Sequence, residues 1–309
     1  MAMPAMILAA GYGTRLRPLT EELPKPLVPI GDRSVLAHVC DALRAAGVER
    51  GVVNAHHLAK AYDAPLRASL AIEVRLTVET TILGTAGGVA GAADALGEGP
   101  VLVHNGDIVA DVDLRALVAA SEQGALATLA VRAGLPVGEG TVGLDRRGHV
   151  VRTRGQRFGD EVEGALFIGV HVLSARLRER LPREGCLVGD VYLPALAAGE
   201  VIRAAPVVTA FSDVGTLDDY AAANFAWLER RGAGHHLAAG ASVGPRVRLE
   251  RAVVGEGARI TGVGLVRDTI LWPGAEAVAP LDGVVVTTRG QIVPWRPSRT
   301  VSAGGAAPR

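Results

Sequence analysis

LAAGYGTRLRPLTEELPKPLVPIGD, residues 8–32, is the stretch on which the reading of this chain turns. An apolar run, Met6 to Ala10, ends in Gly11 and Gly13. Thr14, Arg15 and Arg17 follow, and then Pro24-Lys25-Pro26. A strand that ends in closely spaced glycines lets backbone N–H groups converge on a phosphate without Cβ atoms in the way. The glycines alone read more readily as a turn between strand and helix. Leu16 stands where a dinucleotide fingerprint needs its third glycine, and no GK[ST] follows to make a Walker A loop. The cations shift the balance. Arg15 offers a fork of donors suited to phosphate oxygens. Lys25 is one of two lysines, with Lys60, in a chain of thirty arginines, and its flanking prolines restrict the backbone that carries it.

Working outward from this loop, the first half alternates strand-like and helix-like segments. Ala5 to Ala9, Gly51 to Ala55 and Val101 to His104 read as buried strands, and Ile72 to Val78 as a half-exposed one. Between them, helices are expected after an Asp32 or Ser34 cap, around Leu58 to Leu70, over Thr85 to Leu96 and over Leu114 to Ala120. Beyond Ala125 come a strand at Leu126 to Arg132 and a hairpin over Thr141 to Thr153 turning at residues 145–148. Strands at Ala165 to Leu173 and Val201 to Val208 follow, with helices near Ser174 to Arg180 and Asp190 to Ala198 and a closing helix at Leu217 to Arg230. This rhythm predicts an α/β fold: a Rossmann-like mixed, mostly parallel sheet flanked by helices, over residues 1–231.

From 240 to 290 helical periodicity fades, and three stretches resemble one another: ASVGPRVRL from 241, AVVGEGARI from 252 and TILWPGAEA from 269. They suggest stacked β-coils, and hence a short β-helix-like C-terminal domain over 232–295, left-handed in its expected type. Residues 296–309 are rich in Pro, Gly and Ala and read as a disordered tail.

Composition narrows the function. Lys+Arg and Asp+Glu both number 32, so no bulk nucleic-acid or acidic-membrane partner is indicated. Aromatics make up only 4%, which weakens a base-stacking role. The N-terminus has no signal-peptide pattern and no stretch reaches the length of a membrane span, so a cytoplasmic protein is expected. Cys40 and Cys186 form no CxxC pair and read as buried thiols in a reducing compartment. The pairs His56-His57 and His235-His236 lack acidic or cysteine partners at ligand spacing and read as surface or loop residues.

The opening stretch closely resembles the signature of the sugar-1-phosphate nucleotidylyltransferases, a G-x-G-T-R loop followed by P-K-P-L-x-P at this spacing. The resemblance continues in order through ILGTAGGV (82–89), VHNGDIVADVDL (103–114) and SDVGTLDDY (212–220). It covers about the first 230 residues, and with VNAHHL (53–58) it leans toward the mannose-1-phosphate guanylyltransferase-like and N-acetylmuramate-1-phosphate uridylyltransferase-like branch. The resemblance implies an enzyme that makes an NDP-sugar and pyrophosphate from an NTP and a sugar 1-phosphate, with Mg²⁺ as cofactor.

It implies catalytic roles for Arg15, Lys25 and Asp107, with Arg15 on the leaving β/γ phosphates and Lys25 bridging the α-phosphate and the attacking phosphate. The metal is assigned to Asp107 and Asp213. The nucleotide is assigned to Leu8, Ala9, Ala10, Gly11, Gly13, Thr14, Gly84, Thr85 and Asn105, and the sugar to Glu163 and Gly169. The chemistry agrees: both reactants are anionic, so catalysis must screen charge and hold attacker and leaving group in line. Two carboxylates with phosphate and water oxygens suit Mg²⁺.

The family often carries a second lysine after the hairpin, near the position of Gln156. This chain has only Arg152, Arg154 and Arg157 there. That gap supports a rival reading, a non-catalytic sugar-nucleotide-binding regulator on the same fold. A nicotinamide-binding enzyme is disfavoured by Leu16. The C-terminal domain is too short for an acyltransferase built on several coils, so packing or homo-oligomerisation is the role expected of it.

Overall fold

The computed structural model describes residues 3–121 and 124–295; the tail expected at 296–309 lies outside them. Packing divides the chain into two compact units. One comprises residues up to Val28 and Arg33–Gly215; the other comprises Pro29–Asp32 and the chain from Thr216 onward.

The first unit is built on a ten-stranded sheet. Ala5–Leu8 lies at its centre, between the parallel strands Arg50–Ala55 and Val101–Asn105, and Glu73–Val78 pairs in parallel on the far side of Arg50–Ala55. The first three are near-continuous apolar runs, as strands covered on both faces must be, whereas Glu73–Val78 at the edge is largely exposed or half-buried, as expected. Met6, Val52 and Val103 are buried in one core with Ala86 and Val89 of the helix Gly84–Gly91. Ser34 caps the helix Val35–Ala45, its hydroxyl accepting from Ala37 N.

The second half of this sheet departs from the expected, mostly parallel arrangement. The long strand Glu163–Leu173 runs antiparallel to Val101–Asn105, to Ala127–Leu135 and to Val142–Leu144. The hairpin Val142–Leu144 with Val150–Thr153 adds another antiparallel pairing, its turn closed by Gly148 N donating to Asp145 O. The sheet is therefore mixed: parallel around the central strand Ala5–Leu8, and antiparallel around Glu163–Leu173 and in the hairpin.

Two further segments differ for local reasons. The helix expected over Leu58 to Leu70 shrinks to a 3₁₀ turn at Ala59–Ala61 and a short helix at Ala64–Ala68. Leu58 takes φ +51°, and the helix starts afresh at the Asp63 cap with Pro65 in its first turn. The single strand expected over Val201 to Val208 is two strands, Ile202–Ala205 in the main sheet and Val208–Asp213 in a separate ribbon. Pro206, without a backbone N–H, stands between them.

In the second unit, the helix Leu217–Arg230 begins with a capping box between Thr216 and Asp219. It buries Tyr220, Phe225 and Leu228, and Tyr220 Oη accepts a hydrogen bond from the buried indole of Trp272 at 2.9 Å. Packing thus places this helix with the C-terminal sheet, whereas the sequence reading ends its first domain after the helix, at 231. The sheet itself is mostly parallel. His235 pairs with Ala252, and Ala252 with Thr269, 17 residues on each time. The stretches from 252 and 269 therefore stack in register, whereas Ser242 pairs with Arg259, so the stretch from 241 stacks on 258 instead of 252. Ile292–Pro294 ends the sheet in an antiparallel pair.

Candidate active site

The opening loop leaves the carboxyl end of the central strand, where open α/β sheets bind ligands. Gly13 takes φ +61°, and a Cβ there would lie 2.8 Å from Thr20 Cγ2 and 3.3 Å from Lys25 Cβ. Glycine is required on both counts. Thr20 Oγ1 donates to Gly13 O at 2.9 Å, fixing the loop against the segment that carries the lysine. Lys25 opens a 3₁₀ turn, Lys25–Leu27, whose start is closed by Leu27 N donating to Pro24 O at 2.8 Å.

Asp107 follows the neighbouring strand Val101–Asn105. Gly106 permits the close turn: its N–H donates to Leu8 O at 2.8 Å, and a Cβ there would lie 2.9 Å from that oxygen. Asp213 arrives from far along the chain. The antiparallel ribbon Ile108–Val112 with Val208–Asp213 pairs Asp213 with Ile108, and Val214 N donates to Asp107 O at 3.1 Å. Ribbon register thus sets the two carboxylates side by side.

Lys25 Nζ lies between them, 2.5 Å from Asp107 Oδ2 and 3.4 Å from Asp213 Oδ1. The lysine side chain is 10% exposed and the carboxylates 31% and 48%, so the cation is sunk while both acids open outward. A cleft of about 220 Å³ opens over Lys25 and Asp107, with Asp213 just outside its lining. Leu8, Ala9, Gly11, Gly13, Thr14 and Arg15 line it together with Lys25, Pro26, Asp107 and Gly215. Ala10 is buried just behind, and Arg15 is exposed. Among the described residues no cluster of three or more His, Cys, Asp or Glu side chains is assembled to hold a metal. The oxygen donors here are the two carboxylates, each in contact with Lys25 Nζ and each open to solvent in part.

The remaining predicted residues fall into place unevenly. Asn105 and Gly169 meet: Gly169 takes φ +78°, and a Cβ on it would lie 2.2 Å from Asn105 Nδ2. Glu163 sits at the other end of the same strand, roughly 20 Å away at about 3.3 Å per residue. Its carboxylate accepts from Gly134 N at 2.8 Å. Gly84 takes φ +76° with its α-carbon against Gly185, where a Cβ would lie 2.4 Å from the carbonyl oxygen. Thr85 Oγ1 accepts from Leu187 N at 2.7 Å. The side chain of Thr85 is thus committed to the 185–187 segment, and what residues 84–85 can offer a ligand is backbone.

The three arginines also part company. Arg152 is buried; its guanidinium donates to both oxygens of Glu161, at 2.8 and 3.0 Å, and to the carbonyls of Glu139, Gly140 and Val142. That pairing holds the Glu161 carboxyl below the usual carboxylate range. Arg157 pairs with the same Glu161 at 3.3 Å. Arg154 is exposed and donates to Cys186 Sγ at 3.3 Å. Cys186 is half-buried, while burial pushes the Cys40 thiol up to about 12. His56 and His57 spend ring nitrogens on the carbonyls of Glu79 and Thr20.

Two residues escaped the sequence reading. Asn54, at the end of the strand Arg50–Ala55, accepts from Ala9 N at 2.8 Å and donates to Glu79 Oε1 at 2.6 Å. Both are buried. The available signal was a polar residue closing an apolar strand and a carboxylate five positions ahead of Gly84.

Comparison with known proteins identifies the chain's relatives. Residues 4–230 match the sequence model of the family described as nucleotidyl transferase. The chain is 29% identical over 295 residues to a mannose-1-phosphate guanylyltransferase of Mycobacterium tuberculosis, a match covering 91% of this chain and 79% of that one. It is 46% identical over 110 residues to an N-acetylmuramate alpha-1-phosphate uridylyltransferase of Caulobacter vibrioides, covering 34% of this chain and 46% of that one. In structure it is similar to HddC from Yersinia pseudotuberculosis, solved in complex with GMP-PN: TM-score 0.61 and 24% identity over 73% of this chain and 99% of that one. A UDP-glucose pyrophosphorylase solved in complex with UDP-glucose shares the fold at TM-score 0.60 and 17% identity, over 75% of this chain and all of the other. No helix among the described residues is long and apolar enough to cross a membrane. The chain belongs to the nucleotidyl transferase family, as an enzyme of its sugar-1-phosphate nucleotidylyltransferase kind.

Proposed function

We propose that the protein joins a nucleoside monophosphate unit from an NTP to a sugar 1-phosphate by direct displacement, releasing pyrophosphate, in the cytoplasm. The observation that carries this reading is Lys25 Nζ, set between Asp107 and Asp213 on the floor of the glycine-loop cleft. A phosphate oxygen of the sugar phosphate attacks the α-phosphorus. The bond from that phosphorus to the bridging oxygen of the β-phosphate breaks, and pyrophosphate carries the electron pair away. Nothing in this step calls for a nucleophile from the protein. The task is to hold two anions in line and neutralise the charge that passes between them.

Lys25 supplies a nearly buried point charge where attacker and α-phosphate meet, and a cation desolvated in this way acts more strongly than one in water. Arg15, exposed at the cleft rim, supplies the fork for the departing β/γ phosphates. The Gly11–Thr14 backbone lies open to the triphosphate. Asp107 and Asp213 fit Mg²⁺: they are hard oxygen donors, partly exposed, both within reach of Lys25 Nζ and few in number, as suits an ion that keeps waters and substrate phosphates in its shell. When bound there, the ion would neutralise charge on the α-phosphate and template the in-line geometry.

GTP and UTP are the first candidates for the nucleotide, since the long match is to a guanylyltransferase and the denser short one to a uridylyltransferase. The test is pyrophosphate release over the four NTPs against a panel of sugar 1-phosphates. Release from at least one pair, lost in Asp107→Ala, is expected. Silence across the whole panel would sink the reading in favour of the regulatory one, which the complete Arg15, Lys25, Asp107 and Asp213 set otherwise disfavours.

We further infer that the 17-residue register of the C-terminal sheet winds it as a short left-handed β-helix whose role is packing or self-association. Sedimentation of the purified protein tests the latter, and a strictly monomeric species would remove it.

A further inference from the structure

We propose that Asn54 and Glu79 form a polar strut that fixes the spacing between the glycine loop and the Gly84 turn, and that they act as positioning residues for the nucleotide. This rests on the nucleotide reading above. The strut is built from strand ends. Asn54 pairs in register with Leu8, so its side chain reaches the next N–H of the glycine loop, that of Ala9, at 2.8 Å. Glu79 follows Glu73–Val78 and continues the ladder by donating its own N–H to Ala55 O at 2.8 Å. One Glu79 oxygen accepts from Asn54 Nδ2 at 2.6 Å; the other accepts from Leu83 N at 3.0 Å, at the entrance to the helix Gly84–Gly91. Gly88 of that helix lies over the junction, where a Cβ would come within 2.6 Å of Asn54 Nδ2.

The hydrogen-bond parity of this chain is what points to a dedicated device. Its two ends, Ala9 N and Leu83 N, are both backbone donors. Two side chains bridging two donors must present an acceptor outward at each end and one donor–acceptor pair between them. An amide with a carboxylate satisfies this. Two amides leave two NH₂ groups facing each other, and two carboxylates leave two like charges in contact. Glu79 is 8% exposed, Asn54 is 2% exposed, and among the described residues no cation lies within ion-pair distance of Glu79. A buried carboxylate without a counter-ion is costly unless its hydrogen bonds need it. Here they do. A second route runs alongside: Tyr12 of the glycine loop contacts His56 Nε2 at 3.3 Å, and His56 Nδ1 contacts Glu79 O at 2.9 Å. Both routes make one body of the loop that meets phosphates and the turn assigned to the base.

The same parity rule supplies the test, because the reversed pair also satisfies it. In the double variant Asn54→Asp with Glu79→Gln, the carboxylate now on the first strand end accepts from Ala9 N and from the amide now on the second. The oxygen of that amide accepts from Leu83 N. Each single variant breaks one link. Binding of GTP and of UTP is measured by calorimetry on the full chain, with melting temperatures taken alongside, and KM for NTP and for sugar 1-phosphate where turnover is seen. Each single variant is expected to weaken NTP binding about tenfold, the effect of one lost buried hydrogen bond, with KM for the sugar 1-phosphate unchanged. The double variant is expected to return to within about threefold of wild type, the coupling a double-mutant cycle reads.

Singles that bind as wild type, or a double as weak as the sum of the two, would overturn the proposal. A loss confined to one of the two NTPs and kept in the double would overturn it too, by making Glu79 a base contact. Should a single variant fail to fold, the double still decides: one that folds and binds upholds the strut, and one that stays unfolded or binds weakly refutes it. If wild type binds neither NTP, the nucleotide reading has failed, and recovery of melting temperature in the double reports on the strut alone.

Discussion

Lys25 Nζ stands 2.5 Å from Asp107 Oδ2 although 82 residues separate them in the chain. The contact is made between two strand-end turns, one after the central strand and one after its neighbour, each shaped by a glycine. Lys25→Ala removes the cation and leaves two carboxylates facing each other. We expect kcat/KM to fall by about 10²–10³, since one oriented donor at the reacting phosphate is worth that much in kcat. Steady-state kinetics with the best NTP and sugar 1-phosphate pair checks this, and a value near wild type would take Lys25 out of the site.

Asp107 and Asp213 open outward above that lysine, and metal binding is assigned to them. Exhaustive chelation is expected to stop pyrophosphate release and added Mg²⁺ to restore it. Asp107→Asn and Asp213→Asn should each raise the Mg²⁺ concentration for half-maximal rate by about tenfold or more, as loss of one of few charged ligands implies. A rate indifferent to chelator, or variants with an unchanged Mg²⁺ requirement, would disprove the assignment.

How far the sequence carried the site can be read from these residues. The glycine loop, Lys25 and Asp107 were legible because they lie at the ends of buried strands whose order is written in the hydrophobic rhythm. Asp213 was legible only through resemblance: what brings it to Asp107 is the register of a ribbon that the sequence, read as one strand from Val201 to Val208, did not reveal. Asn54 and Glu79 were not legible, because their importance lies in a hydrogen-bond chain through three strand ends. The hairpin was legible and the sheet was expected to be mixed, but how far its antiparallel half extends was not, for a related reason. Strand type shows in local pattern, but strand direction depends on how the long strand Glu163–Leu173 folds back, and short apolar runs look alike in either direction.

Arg152 and Arg154 stand two residues apart and make opposite predictions. Arg152 is a buried ion partner of Glu161; Arg152→Met removes that closest cation and leaves the carboxylate only Arg157 and the Gly138 N–H, and should cost about 1–3 kcal/mol in urea unfolding. Substrate KM values should not move. Arg154 is exposed, so Arg154→Ala should leave stability within about 0.5 kcal/mol of wild type. If Arg154 stands in for the missing second lysine, KM for the sugar 1-phosphate rises in that variant; an unchanged KM rejects it as the substitute.

Gly169 meets Asn105 with no room for a side chain. Gly169→Ala must accept φ +78° and displace Asn105 Nδ2 from 2.2 Å. A strained backbone and a forced contact each cost about 1–3 kcal/mol. A lower melting temperature is therefore expected together with a reduced kcat/KM, because Asn105 leads directly into the Gly106 turn and Asp107. Full stability in this variant would mean that the strand relaxes without effort and that the Asn105 contact is incidental.

His171 gives stability a dependence on pH that the surface acids do not. Burial, with a smaller contribution from the neighbouring His104, lowers its imidazole from 6.5 to about 3. Tyr192 Oη lies 2.9 Å from Nδ1, and Nε2 is buried with no hydrogen-bond partner among the described residues. His104 is lowered too, chiefly by burial. Below pH 6.5 the unfolded chain takes up a proton on His171 that the folded chain refuses. Stability is therefore fully present above 6.5 and is lost as pH falls toward 3, by about 1.4 kcal/mol per pH unit for each such histidine. Urea unfolding at pH 6.5, 6.0 and 5.5 reads this slope before the carboxylates begin to titrate. His171→Gln keeps a polar partner for Tyr192 but cannot titrate, so its slope should be shallower by one proton. A variant with the wild-type slope would show that His171 is protonated in the folded state and that its burial costs nothing in acid.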